Sequence, residues 1–225
     1  MFDPRAVRVV VDGYRGRQDD GAGPLASLGL DQPTVWNRWA GPGDSLCDRV
    51  DRLVEWNAAR GDRSTPVHLV ALSMGCQVAL RLGEELDIVD DVVLIAPDPK
   101  ARPVDRDAAE EADGIVSAFR EAQDLWDGAA VPAQPFAQAL VALAARTRRV
   151  RVIYCRTDSV AEWDRNVDAL IAGLATVEGI RLIEAVDGET VAASGVTVDL
   201  SAGGTTDVHE RLWSATHLGM RARLV

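Results

Sequence analysis

Cysteine is scarce in this chain, three among 225 residues, too few and too odd in number for a disulfide framework. Cys47, Cys76 and Cys155 each stand inside apolar segments, as reduced core thiols of a reducing compartment do. No stretch approaches the roughly 20 uninterrupted apolar residues of a membrane span, so none is expected. Positive charge is in the minority, 24 Lys and Arg against 35 Asp and Glu for a formal charge of −11. The arginines are dispersed among acids, and the electrostatic footprint of a nucleic-acid binder is missing. The opening MFDPRAVRVV holds an acid and a proline where an export signal would start basic and run into a long apolar region. No export is expected, and the cytoplasm is the expected location. The three histidines and the cysteines are too scattered for zinc-type spacing. DGYRGRQDDGAG lacks the Lys-Ser/Thr ending of a phosphate loop and the spacing of a calcium loop. Neither a metal nor a cofactor is expected.

What is present is ordinary for a globular domain, 47% apolar and 26% charged residues. A chain of this length is compatible with a single α/β domain. Short β-branched runs alternate with amphipathic stretches, the pattern of crossover units around a parallel sheet. The buried-strand candidates are Ala6–Val11, Thr34–Trp39, Val67–Leu72, Val92–Ala96, Val150–Cys155 and Ile180–Val186, and their near-continuous apolarity implies that both faces are covered. Leu46–Ala59 reads as a helix. Val160, Trp163, Val167, Leu170, Ile171 and Leu174 recur at helical spacing, with Ser159 and Glu162 as a capping-box pattern. Between the fourth and fifth strands lie two helical patterns where one crossover helix suffices. One stripe runs from Ala108 to Trp126, and the other begins with Phe136, Leu140 and Leu143 after Pro132 and Pro135. The spare helix is either a small lid over the carboxyl edge of the sheet or a second packed helix. The acid-rich DRDAAEEAD reads as a solvated helix face. Near the end, Val196–Leu200 alternates like an extra strand, and Val208–His217 reads as a last helix that places 209, 213 and 217 on neighbouring turns.

One stretch joins these elements to chemistry. In HLVALSMGCQVAL a strand, Val67–Leu72, meets Ser73 and then a helical run from Met74. Strand, sharp turn and helix with the pattern small-x-Ser-x-Gly are the context of a nucleophile elbow. Here the pattern is Ala71-Leu72-Ser73-Met74-Gly75, with small residues two positions either side of the serine. A hydroxyl there sits at the amino end of a helix, where free N–H groups and the dipole favour developing negative charge. The simpler reading is that Ser73 only caps the helix.

Four stretches in order, VVVDGYRG, WNRWAGPGDS, HLVALSMGCQVAL and VVLIAP, resemble the α/β-hydrolase superfamily over most of the chain. The resemblance implies a mostly parallel sheet with helices on both faces that lacks the superfamily's first two strands, in one domain with a small helical insertion at about 98–149. It implies Ser73 as nucleophile and the backbone N–H groups of Tyr14 and Met74 as oxyanion hole. Two departures stand out: Asp12 replaces the customary histidine before Gly13, and Ala71 replaces the usual first glycine of the elbow.

By the same resemblance Asp158, in the loop CRTDSVAEW, is the acid of the triad, with Asp98 in reserve. His209 is the base, with His217 as the alternative; His68 opens the nucleophile strand at the far end of the sheet and is structural. GGTTDVH resembles the superfamily's Gly-Gly-Thr-His with Thr206 at the expected histidine position and His209 three residues later. The expected activity is cleavage of a carboxylic ester or thioester on a small acyl substrate, with no cofactor. The alternatives are a non-catalytic domain of the same fold that binds a ligand or protein partner, and an acyltransferase. Trp36, Trp39, Trp126 and Trp213 either line an acyl pocket or belong to the core. The early first strand suggests a trimmed sheet edge, either shielded by the N-terminal residues or paired in a homodimer.

Overall fold

A computed structural model describes residues 6–13, 34–37, 46–85, 89–98, 136–158, 161, 163, 168–201, 208–214 and 216–218. Six strands, β1 (Val7–Val11), β2 (Thr34–Asn37), β3 (Val67–Leu72), β4 (Val89–Ile95), β5 (Arg149–Tyr154) and β6 (Ile180–Glu184), form one sheet in the order β2-β1-β3-β4-β5-β6. Every pairing in it is parallel. The helices α1 (Leu46–Ala59), α2 (Gly75–Glu85), α3 (Phe136–Arg146) and α4 (Asp168–Leu174) connect β2 through β6. Each of those crossovers steps the same way across the sheet, so right-handed connections put all four helices on one face. They touch one another in sequence order, α1 on α2, α2 on α3 and α3 on α4.

The central strands consist of Val, Leu and Ile because both sides of each are covered. All six residues of β3 are buried, and Val10, Val11, Val92, Leu94, Val150 and Val152 are fully inaccessible. Each such side chain contributes roughly 1.5–3 kcal/mol relative to exposure. On the face that carries the four helices, α3 supplies Phe136, Ala139, Leu140, Leu143 and Ala144. This is the second of the two helical patterns expected between β4 and β5; the first, Ala108–Trp126, lies outside the described residues, and with it the expectation of a lid or a second packed helix.

A smaller antiparallel sheet follows, β7 (Thr190–Ala193), β8 (Val196–Asp199) and β9 (Thr216–Leu218), in that order. Ser194 and Gly195 make the tight turn between β7 and β8 with φ of 48° and 77°. Positive φ at both positions is the geometry whose twist matches a two-residue hairpin. Between β8 and β9 runs α5 (Val208–Ser214). Among the described residues no helix is long and apolar enough to cross a membrane.

Three expectations need correction here. The last helix ends at Ser214, and His217 lies in β9 opposite Thr197, so 209 and 217 are not on turns of one helix. A three-residue strand has too short a pattern to read alone; its partner β8 decides it. Trp163 lies outside α4, which begins only at Asp168. Its apolar spacing reflects burial in a cluster of rings instead of a helix face. The chain leaves β6 at Glu184, and Val186 is 44% exposed. The capping box Ser159/Glu162 lies outside the described residues.

At the amino end of the sheet, Arg8, His68, Asp91 and Arg149 occupy paired positions on β1, β3, β4 and β5. Arg149 grips both Asp91 oxygens, with Nε to Oδ1 at 2.7 Å and a short contact from the terminal nitrogen to Oδ2. His68 Nε2 lies 3.4 Å from Asp91 Oδ2 and 3.8 Å from Asp90 Oδ2. Burial dominates and pushes the His68 pKa below its ordinary 6.5, against the upward pull of Asp91 and Asp90. In the unfolded chain His68 takes a proton near pH 6.5 while the folded chain resists it. The unfolded state therefore binds more protons in the window just below that pH, and stability falls as pH drops through it. In thermal melts between about pH 7.5 and 5.5, His68→Gln is expected to flatten this fall; equal slopes in parent and variant would refute the assignment.

Candidate active site

The serine stands where β3 gives way to α2. Ser73 has a φ of 48°, a left-handed conformation that a residue with a Cβ adopts at a cost of about 1–2 kcal/mol. Neighbouring structure holds it there. The Ser73 amide donates to Ile95 O at 2.8 Å, and the Ser73 carbonyl accepts from the Cys76 amide at 2.9 Å. Gly75 begins α2 directly against the end of β1: a Cβ on it would lie 2.5 Å from Val11 O and 2.6 Å from Asp12 O. Glycine is required for that close approach. Ala71, fully buried, fits without one.

The hydroxyl of Ser73 bonds to the ring of His209, 2.9 Å from Oγ to Nε2. Among the described residues this contact replaces the helix-capping bond of the simpler reading. On the other side of the ring, Nδ1 donates to Asp158, at 2.7 Å to Oδ2 and 3.0 Å to Oδ1. A carboxylate only accepts, so the proton sits on Nδ1 and leaves Nε2 as the acceptor of the serine hydroxyl. Three residues far apart in sequence thus make one continuous chain of hydrogen bonds. The carboxylate is also held from its own loop, because the Ala161 amide donates to Asp158 Oδ1 at 2.9 Å. Asp158 and His209 are 4% and 9% exposed, so water competes little for these bonds.

Ser73 and Asp158 follow the carboxyl ends of β3 and β5, and His209 comes from the amino end of a helix. Asp158 follows β5 through a turn in which its amide donates to Cys155 O at 3.2 Å. His209 is in the first turn of α5, and that helix is fastened by Arg211, whose guanidinium donates to Leu200 O at 3.0 Å and pairs with Asp187 at 2.7 Å. The antiparallel pairing of β9 with β8 holds the helix from its other end. The stretch between β6 and His209, too long for a simple loop, is therefore the support of the histidine. At the opposite end of the sheet's rim, Arg49 of α1 ties β1 to β2. It donates to Asp12 O at 2.6 Å, Asn37 O at 2.8 Å and Asn37 Oδ1 at 2.8 Å.

The other expected residues sort plainly. Met74 is described and buried, immediately before α2, and its amide bonds to no carbonyl among the described residues. Tyr14 lies outside the described residues, as do the side chains of Trp36, Trp39, Trp126, Trp213 and His217. Asp98 lies just past β4, and the imidazole turns its Nδ1 to Asp158. His68 is at the amino end of β3, away from the serine. Sequence reading missed Arg49, Arg211 and the role of Trp163; the available signal was that a buried guanidinium or indole N–H must find an acceptor.

Competing chemistries find little purchase. Burial raises the Cys76 thiol pKa far above the usual range, and its sulfur faces the carbonyls of Ala71 and Ile95 at 3.4 and 3.5 Å. It stays an inert thiol. One group among the described residues, His68 with Asp90 and Asp91, brings potential metal ligands within 4.8 Å of one another. Arg149 already occupies both Asp91 oxygens, so the group is an ion-pair network at the wrong end of the sheet.

Comparison with solved structures decides the architecture. One of the metagenome-derived lipolytic enzymes LipS and LipT superposes with a TM-score of 0.52 over 83% of this chain and 85% of its own, at 16% identity. The chain has the α/β-hydrolase fold. A lipase-esterase related protein from Clostridium acetobutylicum shares the hydrolase fold at a TM-score of 0.50, 15% identity, over 81% of this chain and 87% of that one. The esterase domain of a Rhodothermus marinus protein does so at 0.50 and 11% identity, over 81% and 77%. No family model matches the sequence, and no curated protein matches it. The hydrolase fold is thus carried by tertiary structure at identities where sequence similarity has faded.

Proposed function

We propose that the chain is a serine hydrolase that cleaves a carboxylic ester or thioester through an acyl-enzyme. The observation that supports this most directly is the imidazole bridge, 2.9 Å to the Ser73 hydroxyl on one side and 2.7 Å to Asp158 on the other. In this reading Ser73 Oγ attacks the substrate carbonyl carbon while its proton passes to His209 Nε2. The carbonyl oxygen becomes an oxyanion held by the amides of Met74 and Tyr14 at the head of α2 and the exit of β1. The bond to the leaving oxygen or sulfur then breaks, and His209 hands it the proton. Water enters next, gives a proton to His209 and attacks the acyl-serine, and the ring returns that proton to Ser73 as the acid departs. Asp158 keeps the ring in the required tautomer and stabilises its charged form throughout.

The strained φ of Ser73 is consistent with this role, since backbone strain of this kind clusters at functional sites. A fluorophosphonate probe, which reacts only with activated serines, provides the test. The parent chain is expected to label stoichiometrically and Ser73→Ala not at all. A parent chain that stays unlabelled where a control esterase reacts would support a ligand-binding domain instead.

A further inference from the structure

We propose that Trp163 is a positioning residue that sets the spacing between the strand end beside Ser73 and the loop that carries Asp158, and so holds His209 between the two. The inference rests on the hydrolase reading for its catalytic meaning, though its geometry stands apart from it. A single imidazole that must reach a hydroxyl at 2.9 Å and a carboxylate at 2.7 Å tolerates little drift between those two partners. Something has to lock the carboxyl ends of β3, β4 and β5 to one another.

On the serine side, the Ser73 amide is bonded to Ile95, the last residue of β4. The chain then bends sharply at Ala96, which has a φ of 50° and is fully buried. A residue with a Cβ keeps that conformation only where its surroundings enforce it. Two bonds do so: the Ala96 amide donates to Ile153 O at 2.8 Å, and Pro97 O accepts the indole N–H of Trp163 at 2.7 Å.

On the acid side, Trp163 closes the loop in which Asp158 sits. That loop leaves β5 at Tyr154, and Trp163 stacks back on the Tyr154 ring with centroids 4.5 Å apart and planes at 28°. The ring of Phe136, the first residue of α3, meets the indole edge-on at 6.0 Å and 85°. Such offset and edge-to-face pairs fix ring orientation as well as filling space. Trp163 is fully inaccessible, and its single polar atom is spent on the carbonyl next to the bend. Any large apolar residue would fill the volume. Only an indole joins the β4 exit to the acid's loop by a directed bond while stacking on Tyr154 of β5 and meeting Phe136 of α3 edge-on.

The test separates this from ordinary core packing. Trp163→Phe, and a second chain with benzothienylalanine at 163, which keeps the bicycle and swaps N–H for sulfur, both remove the donor. Leu53→Ala, in α1, serves as a control of comparable thermal destabilisation. Both donor-free chains are expected to lower the rate of fluorophosphonate labelling about tenfold and to displace its pH profile. The same substitutions in an Asp158→Asn background are expected to have no further effect, because Trp163 acts through that carboxylate. In parallel, the downfield NMR signal of the His209 Nδ1 proton is expected to shift in the donor-free chains and to stay in place in Leu53→Ala. An unmoved signal, or losses that simply add to those of Asp158→Asn, would overturn the inference. A parent chain with no serine labelling refutes the hydrolase reading alone, since the NMR signal still reports on Trp163.

Discussion

His209→Gln is expected to reduce turnover of an activated ester about 10⁴-fold or more, with KM within a few-fold of the parent. The amide side chain keeps hydrogen-bonding capacity and much of the shape, so folding is expected to survive. In the proposed mechanism, what it loses is the ability to take a proton from Ser73 and return it, which acts in the transition state and not in binding. Asp158→Asn is expected to fall in the same direction, because an amide no longer enforces the tautomer in which Nε2 accepts from the serine. His217→Gln is expected to stay within about threefold, as both sides of the one imidazole needed are already accounted for at His209. Steady-state kinetics of the three variants check this; loss in His217→Gln with retention in His209→Gln would reverse the assignment of the base.

Gly75→Ala is expected to be strongly damaging for so small a substitution. The added methyl would sit 2.5 and 2.6 Å from the carbonyl oxygens of Val11 and Asp12, and both belong to backbone with no side-chain freedom to yield. Ordinary overpacking costs about 1–3 kcal/mol, and a clash with two main-chain oxygens lies at or above the top of that range. About 3 kcal/mol corresponds to a fall of roughly 6–12 °C in melting temperature for a domain of this size. The relief available is to push α2 away from β1, which displaces Ser73 and the Met74 amide together. A displacement near 1 Å is expected to cost about 100-fold in rate. Gly173→Ala gives the contrast: it lies in α4 with nothing within 4 Å of the new Cβ, and the better helix former is expected to raise stability by about 0.5–1 kcal/mol. Differential scanning calorimetry and esterase assays on the two alanine variants read out both effects.

Much of the framework was legible because buried parallel strands carry their own signature. Val67–Leu72 and Leu46–Ala59 lie where the pattern placed them, and β1, β4, β5 and β6 differ from their expected bounds by only a few residues. Period-two or continuous apolarity with β-branched residues needs no knowledge of partners. The short outer strands were another matter. Only β8 shows alternation strong enough to read, whereas β7 alternates exposed and half-buried residues, and β9 has three. Their identity comes from hydrogen bonds to β8, a long-range fact. Trp163 illustrates the same limit, since its helical spacing with Leu170 and Leu174 was accidental and its position was decided by Tyr154, Phe136 and Pro97.

Sequence alone determined the parallel α/β plan and the serine at a strand-to-helix bend, because local periodicity, small flanking residues and turn chemistry act within a few residues of one another. Only the tertiary structure decided that His209 and not His217 meets Ser73, and that Asp158 meets His209. Those choices turn on the β7–β8–β9 sheet that carries α5 and on the ring cluster that closes the Asp158 loop. Both depend on contacts between segments distant in the chain, where a shift of a few ångströms makes or breaks a hydrogen bond.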